Sequence, residues 1–163
     1  LADDLIDAQP FALQQMTQRF DMFPVSILGV ERIAREDSRK YGVVSVHPGA
    51  VAERMYRMQG IVEKPEPAQA PSDLGVVGRY ILTPRVFDHL AAIQPGAGGE
   101  IHLTDGIAAL MKEEAVMAYE FEGTRYDCGS KLGYLKATLS YALKHPEVGQ
   151  DFAAYLRQMA LPR

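Results

Sequence analysis

The sequence predicts an α/β fold, in which short strands alternate with helices along the chain. Runs of β-branched and aliphatic residues predict the strands, and apolar residues at helical spacing predict the helices. The composition is that of an ordinary globular chain, with 47% hydrophobic and 23% charged residues. At 163 residues the chain is long enough to bury a core, and we expect a single domain over residues 1–163.

In the first half of the chain, Asp7 is predicted to cap a helix that ends near Phe20, with Met16 on its apolar face. Apolar runs predict strands at 25–30, 41–46, 54–62 and 74–82. The Pro/Ala-rich stretch at 66–72 predicts a loop.

In the second half, Thr83 and Pro84 predict an N-cap and a first helical position. A loop is expected at 95–99, a helix from 103 with Ile107 and Leu110 facing inward, and a half-buried strand at 116–121. Residues 123–130 are polar and predict a turn. Two helices follow, and the first ends at His145-Pro146 and carries leucines at helical spacing, Leu132, Leu135, Leu139 and Leu143.

The charge and cysteine content exclude several classes of protein. The net charge of −4 argues against a general nucleic-acid binder, although a local basic pocket remains compatible with it. Cys128 is the only cysteine, so no intrachain disulfide can form, and we expect a reducing, cytoplasmic location. No apolar run reaches the roughly 20 residues that span a membrane, and no secretory signal is evident, so we expect no membrane partner.

Two short charged motifs are candidate sites. Acidic residues at a strand end, such as Asp3 and Asp4, can bind hard cations, but these residues alone favour a solvated pair or a helix cap. In Glu63-Lys64-Pro65, Lys64 could hold a phosphate and Glu63 could accept sugar hydroxyls. An exposed charged pair before a turn is the alternative.

A third candidate is Asp127-Cys128-Gly129-Ser130-Lys131, which precedes a helix. The start of a helix after a glycine suits anions, but ordinary capping by Asp127 or Ser130 explains the same pattern. Cys128 has no neighbouring histidine and is interpreted as a small buried residue. The four histidines have no metal-ligand spacing, and neither a P-loop nor a nucleophile elbow occurs.

Six segments resemble one family and occur in its order. They are LADDL at 1–5, KYGVV at 40–44, GIVEKP at 60–65, VVGRY at 76–80, GEIHLTD at 99–105 and YDCGSKLGY at 126–134. Each segment alone is weak evidence, but the ordered set resembles the bacterial UTP–glucose-1-phosphate uridylyltransferases. The resemblance implies a Rossmann-like nucleotidyltransferase fold with a mixed central sheet. It also implies UTP and glucose 1-phosphate as substrates, and UDP-glucose and pyrophosphate as products.

The resemblance assigns roles to particular residues. It implies that Asp3 and Asp127 bind Mg²⁺, that Lys64 holds the glucose phosphate and that Glu63 binds sugar hydroxyls. Lys131 is similar to a motif lysine placed near the phosphates, so Lys64 and Lys131 are the candidate catalytic residues. The backbones expected to approach the sugar closely are those of Gly42, Gly78 and Gly129.

The family's glycine-rich UTP-phosphate segment, G-x-G-T-R-x-L-P-x-T-K, does not occur in this sequence. We therefore expect that the N-terminal nucleotide-binding half is missing and that this chain, a sugar-phosphate- and metal-binding part, is inactive alone. A related nucleotidyltransferase with another sugar phosphate or base, and a non-catalytic sugar-phosphate-binding or assembly module, remain open.

The two C-terminal helices carry more apolar positions than one small core needs. We expect a homo-oligomer that assembles through this part, with the candidate contacts Leu139, Leu143, Tyr155 and Met159. The alternative is that both helices pack on their own sheet.

Overall fold

The computed structural model describes residues 3–94 and 99–159, and the chain divides into two compact units. The first unit comprises Ala8–Gly123. The second combines the N-terminal segment that ends at Asp7 with the chain from Thr124 onward. A single domain over residues 1–163 stays a prediction. Most of the loop predicted at 95–99 lies outside the described residues.

Seven strands and five α-helices make up the described residues. The strands are β1 (Asp4–Asp7), β2 (Ser26–Arg32), β3 (Gly42–Val46), β4 (Met55–Glu63), β5 (Leu74–Ile81), β6 (Val116–Glu120) and β7 (Thr124–Asp127). The helices are α1 (Ala12–Met22), α2 (Arg85–Ala92), α3 (Leu103–Leu110), α4 (Lys131–Lys144) and α5 (Gly149–Gln158). Short 3₁₀ helices occupy Arg35–Lys40 and Pro67–Gln69. None of the helices described has the length and apolar character needed to cross a membrane.

The sheet of the first unit is mixed, as predicted. Its strands pair in a closed ring in the order β2-β5-β3-β4-β6. β2 runs parallel to β6, and the other four pairings are antiparallel. The first five residues of β2 are buried without alternation because both faces of the strand are covered. Leu28 and Val30 lie in the apolar cluster shared with α2 and α3. On the other face, Met16 of α1 lies against Gly29.

The core of the first unit lies between this sheet and the helices α2 and α3. Ile107 and Leu110 of α3 are buried, as their spacing predicted, and they share one apolar cluster with Leu28, Val44 and Val86. This burial anchors α3 against the sheet, because each fully buried aliphatic side chain contributes about 1.5–3 kcal/mol.

Three of the sequence predictions are wrong in detail. The first helix begins at Ala12, and Asp7 ends β1 instead of capping that helix. Thr83 is not a side-chain cap, because its hydroxyl donates to Glu114 Oε1 and Pro84 holds the N-cap position of α2. The strand predicted as half-buried, β6, is buried at four consecutive residues because both of its faces are covered. Val116 and Ala118 lie in the core cluster, and on the other face the Tyr119 hydroxyl donates to Gln15 of α1.

The second unit is built on β1 and β7, which pair antiparallel from Asp4 opposite Asp127 to Asp7 opposite Thr124. The turn predicted at 123–130 is therefore wrong for its first half. These strands lack an apolar alternation, and a buried ion pair joins them instead. Arg125 Nε donates to Asp4 Oδ1 at 2.5 Å, and both side chains are almost fully buried.

Helices α4 and α5 complete the second unit, and α4 stops at Lys144 with His145 as its C-cap, as predicted. Lys144, the last residue of α4, forms an ion pair with Asp7 at the end of β1. The leucine stripe of α4 is exposed along its whole length in this chain, at Leu132, Leu135, Leu139 and Leu143.

We predict that the second unit loses stability in alkaline solution. The hydrogen bond to Asp7 raises the pKa of Lys144, and desolvation by burial, with the nearby Asp7 charge, raises the pKa of Tyr141. Both groups hold their protons more tightly in the folded state. Their stabilising contribution is complete below about pH 10 and is lost as the pH rises through the raised pKa values.

Denaturant unfolding of the chain between pH 8 and 12 measures this effect. The free energy of unfolding should fall above about pH 10, and the fall should be shallower for Lys144→Gln. Lys136→Gln, a change at another exposed lysine of α4, is the matched control. An identical pH dependence for Lys144→Gln and the unchanged chain would contradict the prediction.

Candidate functional site

In the first unit, the pairing of β3 with β4 brings predicted site residues together. Gly42 lies directly opposite Glu63 in the ladder, and Lys64 N donates to the backbone oxygen of Tyr41 at 3.0 Å. Lys64 Nζ lies 3.7 Å from Glu63 Oε1. Gly42, Glu63 and Lys64 therefore form one cluster at the end of β4.

Thr104 belongs to the same cluster, although no role was assigned to it from the sequence. Its hydroxyl donates to Glu63 Oε2 at 2.6 Å. The signal that could have found it is its place in the GEIHLTD segment, at the start of α3. Sequence spacing alone could not, because 41 positions separate Thr104 from Glu63.

Gly42 keeps one side of the Glu63 carboxylate uncovered. A Cβ at this position would stand 3.4 Å from Glu63 Oε2 and 3.5 Å from Thr104 Cγ2. Any larger side chain would crowd this corner of the cluster. Glycine thus leaves the space in which a ligand could approach the carboxylate.

Lys64 has an unusual backbone. Its φ of +44° is in the left-handed region that non-glycine residues rarely adopt. Pro65 follows it, which further restricts the backbone. The Lys64 side chain is more than half exposed, so its ammonium group is free to contact an anion beside Glu63.

Gly78 is on a different strand from this cluster. It lies on β5, beyond Gly75, which pairs with Val43 of β3. Gly78 has a φ of +68°, which explains glycine there by backbone conformation.

In the second unit, the structure brings Asp3 and Asp127 together. Cys128 N donates to the backbone oxygen of Asp3 at 2.8 Å, next to the β1–β7 ladder. A Cβ at Gly129 would stand 2.8 Å from Asp3 Oδ2 and 3.2 Å from Asp127 Oδ1. Both carboxylates therefore face one point, and a side chain at Gly129 would displace the Asp3 carboxylate from it.

The segment after Asp127 also caps α4. Ser130 is the N-cap, and its hydroxyl oxygen accepts from Gly133 N at 3.0 Å. Asp127 Oδ1 accepts from Gly129 N at 3.1 Å. The capping interpretation is thus confirmed for Ser130. Lys131 is the exposed first residue of α4, whereas Cys128, expected to be buried, is only half-buried.

The donor set at Gly129 fits a hard cation. Asp3 and Asp127 supply carboxylate oxygens, the ligand type that Mg²⁺ prefers. Across residues 3–94 and 99–159, no group of three or more His, Cys, Asp or Glu side chains is placed to hold a metal ion. An ion held by two aspartates would take its other ligands from water or from a bound phosphate, as Mg²⁺ commonly does.

Two curated relatives of this chain carry the same enzymatic name. A UTP–glucose-1-phosphate uridylyltransferase of Staphylococcus epidermidis is 42% identical over 159 residues, which is 98% of this chain and 54% of the relative. One from Streptococcus pyogenes is 42% identical over 161 residues, which is 96% of this chain and 52% of the relative. The chain thus spans about half the length of the curated relatives it matches.

Solved structures of similar sequence have the same fold. A UDP-glucose pyrophosphorylase complexed with UDP-glucose matches with a TM-score of 0.82 and 41% identity, covering 89% of this chain and 55% of that one. A UTP-bound enzyme from Acinetobacter baumannii matches with a TM-score of 0.84 and 38% identity, covering 98% and 55%. These matches confirm the predicted Rossmann-like nucleotidyltransferase fold.

The family model described as "Nucleotidyl transferase" matches residues 1–144, which include every predicted site residue in both units. The chain therefore belongs to the nucleotidyl transferase family.

Proposed function

We propose that the complete protein to which this chain belongs transfers a uridylyl group from UTP to glucose 1-phosphate, giving UDP-glucose and pyrophosphate. The convergence of Asp3 and Asp127 at Gly129 carries the proposal, because a non-catalytic sugar-phosphate module has no need of a paired carboxylate site. Relatives at 42% identity are named for this reaction. Solved relatives are described as bound to UDP-glucose and to UTP.

The chemistry needs no general base. An anionic phosphate oxygen of glucose 1-phosphate attacks the α-phosphorus of UTP and forms the new P–O bond. The bond from the α-phosphorus to the oxygen bridging the β-phosphorus breaks, and pyrophosphate leaves with that electron pair. Catalysis of such a transfer rests on positioning and on neutralising phosphate charge.

The first unit would bind the sugar phosphate. Lys64 supplies an exposed ammonium group next to Glu63, and such a point charge suits a phosphate. The Glu63 carboxylate, uncovered on the side of Gly42, would accept hydrogen bonds from sugar hydroxyls. In the second unit, Lys131, exposed at the start of α4, is proposed to approach the phosphates.

The second unit would hold Mg²⁺ through Asp3 and Asp127. When bound, the ion would neutralise the crowded phosphates of the nucleotide and the leaving pyrophosphate. The two aspartates contribute negative charge at a fixed place, because both are tied to the β1–β7 ladder.

The cytoplasmic location inferred from the composition stays a prediction.

We also propose that the complete protein is a homo-oligomer that assembles through α4 and α5. Leu139 and Leu143 are each 42% exposed, and Tyr155 is 58% exposed. Several exposed apolar side chains on neighbouring helices are typical of surfaces that a partner covers.

We predict that Lys64→Ala in the complete protein strongly raises the KM for glucose 1-phosphate but has little effect on the melting temperature. A lost charge-assisted contact costs about 1.5–3 kcal/mol, which is roughly a ten- to hundredfold change. Steady-state kinetics with each substrate varied in turn, together with thermal unfolding, measure the two effects. Lys112→Ala, at another exposed lysine of the first unit, is the control. Normal kinetics for Lys64→Ala would contradict the assignment of Lys64 to the phosphate.

We predict that Asp3→Asn and Asp127→Asn each weaken binding of Mn²⁺, used as a probe for Mg²⁺, at least about tenfold in the presence of UTP. The loss follows because each change removes one of two charged ligands. Electron paramagnetic resonance of free Mn²⁺ measures the affinity without turnover. Asp151→Asn, at an exposed aspartate of α5, should leave it unchanged. Unaltered Mn²⁺ binding in both site variants would rule out the metal site.

We predict that Leu139→Glu combined with Leu143→Glu shifts the complete protein to smaller assemblies. Two charges placed in a desolvated apolar contact oppose association. Light scattering at several concentrations measures the mass, and Leu13→Glu, at an exposed leucine of α1, is the control. A monomeric unmodified protein would refute the proposed assembly.

A further inference from the structure

We propose that Thr104 is a positioning residue that orients the Glu63 carboxylate and thereby sets the selectivity for sugar hydroxyls. This inference rests on the proposed function, because it concerns the site where a sugar phosphate would bind. Thr104 itself acts through Glu63.

The hydrogen bond between the two side chains is short and links two elements of the first unit. Thr104 Oγ1 donates to Glu63 Oε2 at 2.6 Å. Thr104 is the second residue of α3, and Glu63 is the last residue of β4. A hydroxyl that donates to a carboxylate makes a charge-assisted bond, which is stronger than one between neutral groups.

The two oxygens of Glu63 have different neighbours. Oε2 accepts from Thr104, and Oε1 lies 3.7 Å from Lys64 Nζ. The χ3 torsion of a glutamate, which rotates its carboxylate, adopts a broad range of angles unless a neighbour restrains it. The Thr104 hydroxyl therefore selects one rotation of the carboxylate, and lone pairs on both oxygens remain to accept from a ligand.

Thr104 can act in this way because α3 is firmly held. Ile107 and Leu110, on the following turn and beyond, are completely or almost completely buried in the core of the first unit. A Cβ at Gly42 would stand 3.4 Å from Glu63 Oε2 and 3.5 Å from Thr104 Cγ2. The hydroxyl, the carboxylate and the glycine backbone thus meet at one point.

Orientation of the carboxylate matters most for selectivity. A site built to hydrogen-bond a hydroxyl rejects an analogue that lacks it, because the site's polar group is then left without its partner. A carboxylate that rotates freely can find water or another donor instead. Loss of the Thr104 hydroxyl should therefore relax discrimination as well as weaken binding.

The experiment compares Thr104→Val, which keeps the shape but removes the hydroxyl, with Thr104→Ser, which keeps the hydroxyl. Steady-state kinetics of the complete protein are measured with UTP, glucose 1-phosphate and its monodeoxy analogues. For Thr104→Val we expect the KM for glucose 1-phosphate to rise about tenfold, with the KM for UTP unchanged. The comparison uses the deoxy analogue that the unmodified protein rejects most strongly. The preference for glucose 1-phosphate over this analogue, measured as the ratio of the two kcat/KM values, should fall at least about threefold.

In Thr104→Ser, the KM for glucose 1-phosphate and the preference over the deoxy analogue should both lie within about twofold of the values of the unmodified protein. The control Thr17→Val, at an exposed threonine of α1, should change neither value. Thermal unfolding of each variant separates positioning from folding.

If Thr104→Val and Thr104→Ser lose activity and stability together, Thr104 is structural and the inference is wrong. If Lys64→Ala impairs the reaction but Thr104→Val behaves as the unmodified protein, the inference fails while the proposed function stands. If the unmodified protein does not turn over glucose 1-phosphate and UTP, both fail.

Discussion

The register of two antiparallel ladders determines both candidate sites. In the first unit, β3 and β4 place Gly42 opposite Glu63, and in the second, β1 and β7 place Asp4 opposite Asp127. Side chains alternate between the two faces of a strand, so a slip by one residue would turn each carboxylate to the other face. The chemistry proposed for this chain thus depends on backbone pairing between segments that are far apart in sequence.

The ladder of the second unit needs an additional restraint, because two strands of four residues are marginal on their own. The buried pair between Asp4 and Arg125 supplies one. Burying two charges is itself costly, so such a pair adds little net stability, but removing one partner typically costs about 3–5 kcal/mol. A slipped register would separate these two buried charges, so the pair favours the register that places Asp3 beside Asp127.

The sequence predicted what apolar patterning controls. The strands β2 to β6 and the helix α3 follow from aliphatic runs and helical spacing, because their side chains form the core. It could not predict β1 and β7, which lack an apolar alternation and whose register is favoured by the Asp4–Arg125 ion pair between distant positions. The candidate site residues came from a family resemblance. Their grouping into two clusters, and the place of Thr104 in one of them, required the three-dimensional contacts.

The backbone of Lys64 shows how the first unit keeps one cluster in place. A φ of +44° costs about 1–2 kcal/mol for a residue with a side chain, so its surroundings must hold it. Lys64 N donates to the backbone oxygen of Tyr41, and the buried hydroxyl of Ser38 donates to the backbone oxygen of Pro65 at 2.8 Å. These two bonds restrain the chain on both sides of the Lys64 α-carbon. The 3₁₀ helix that contains Ser38 therefore helps to keep the lysine beside Glu63, and strain maintained in this way is typical of functional positions.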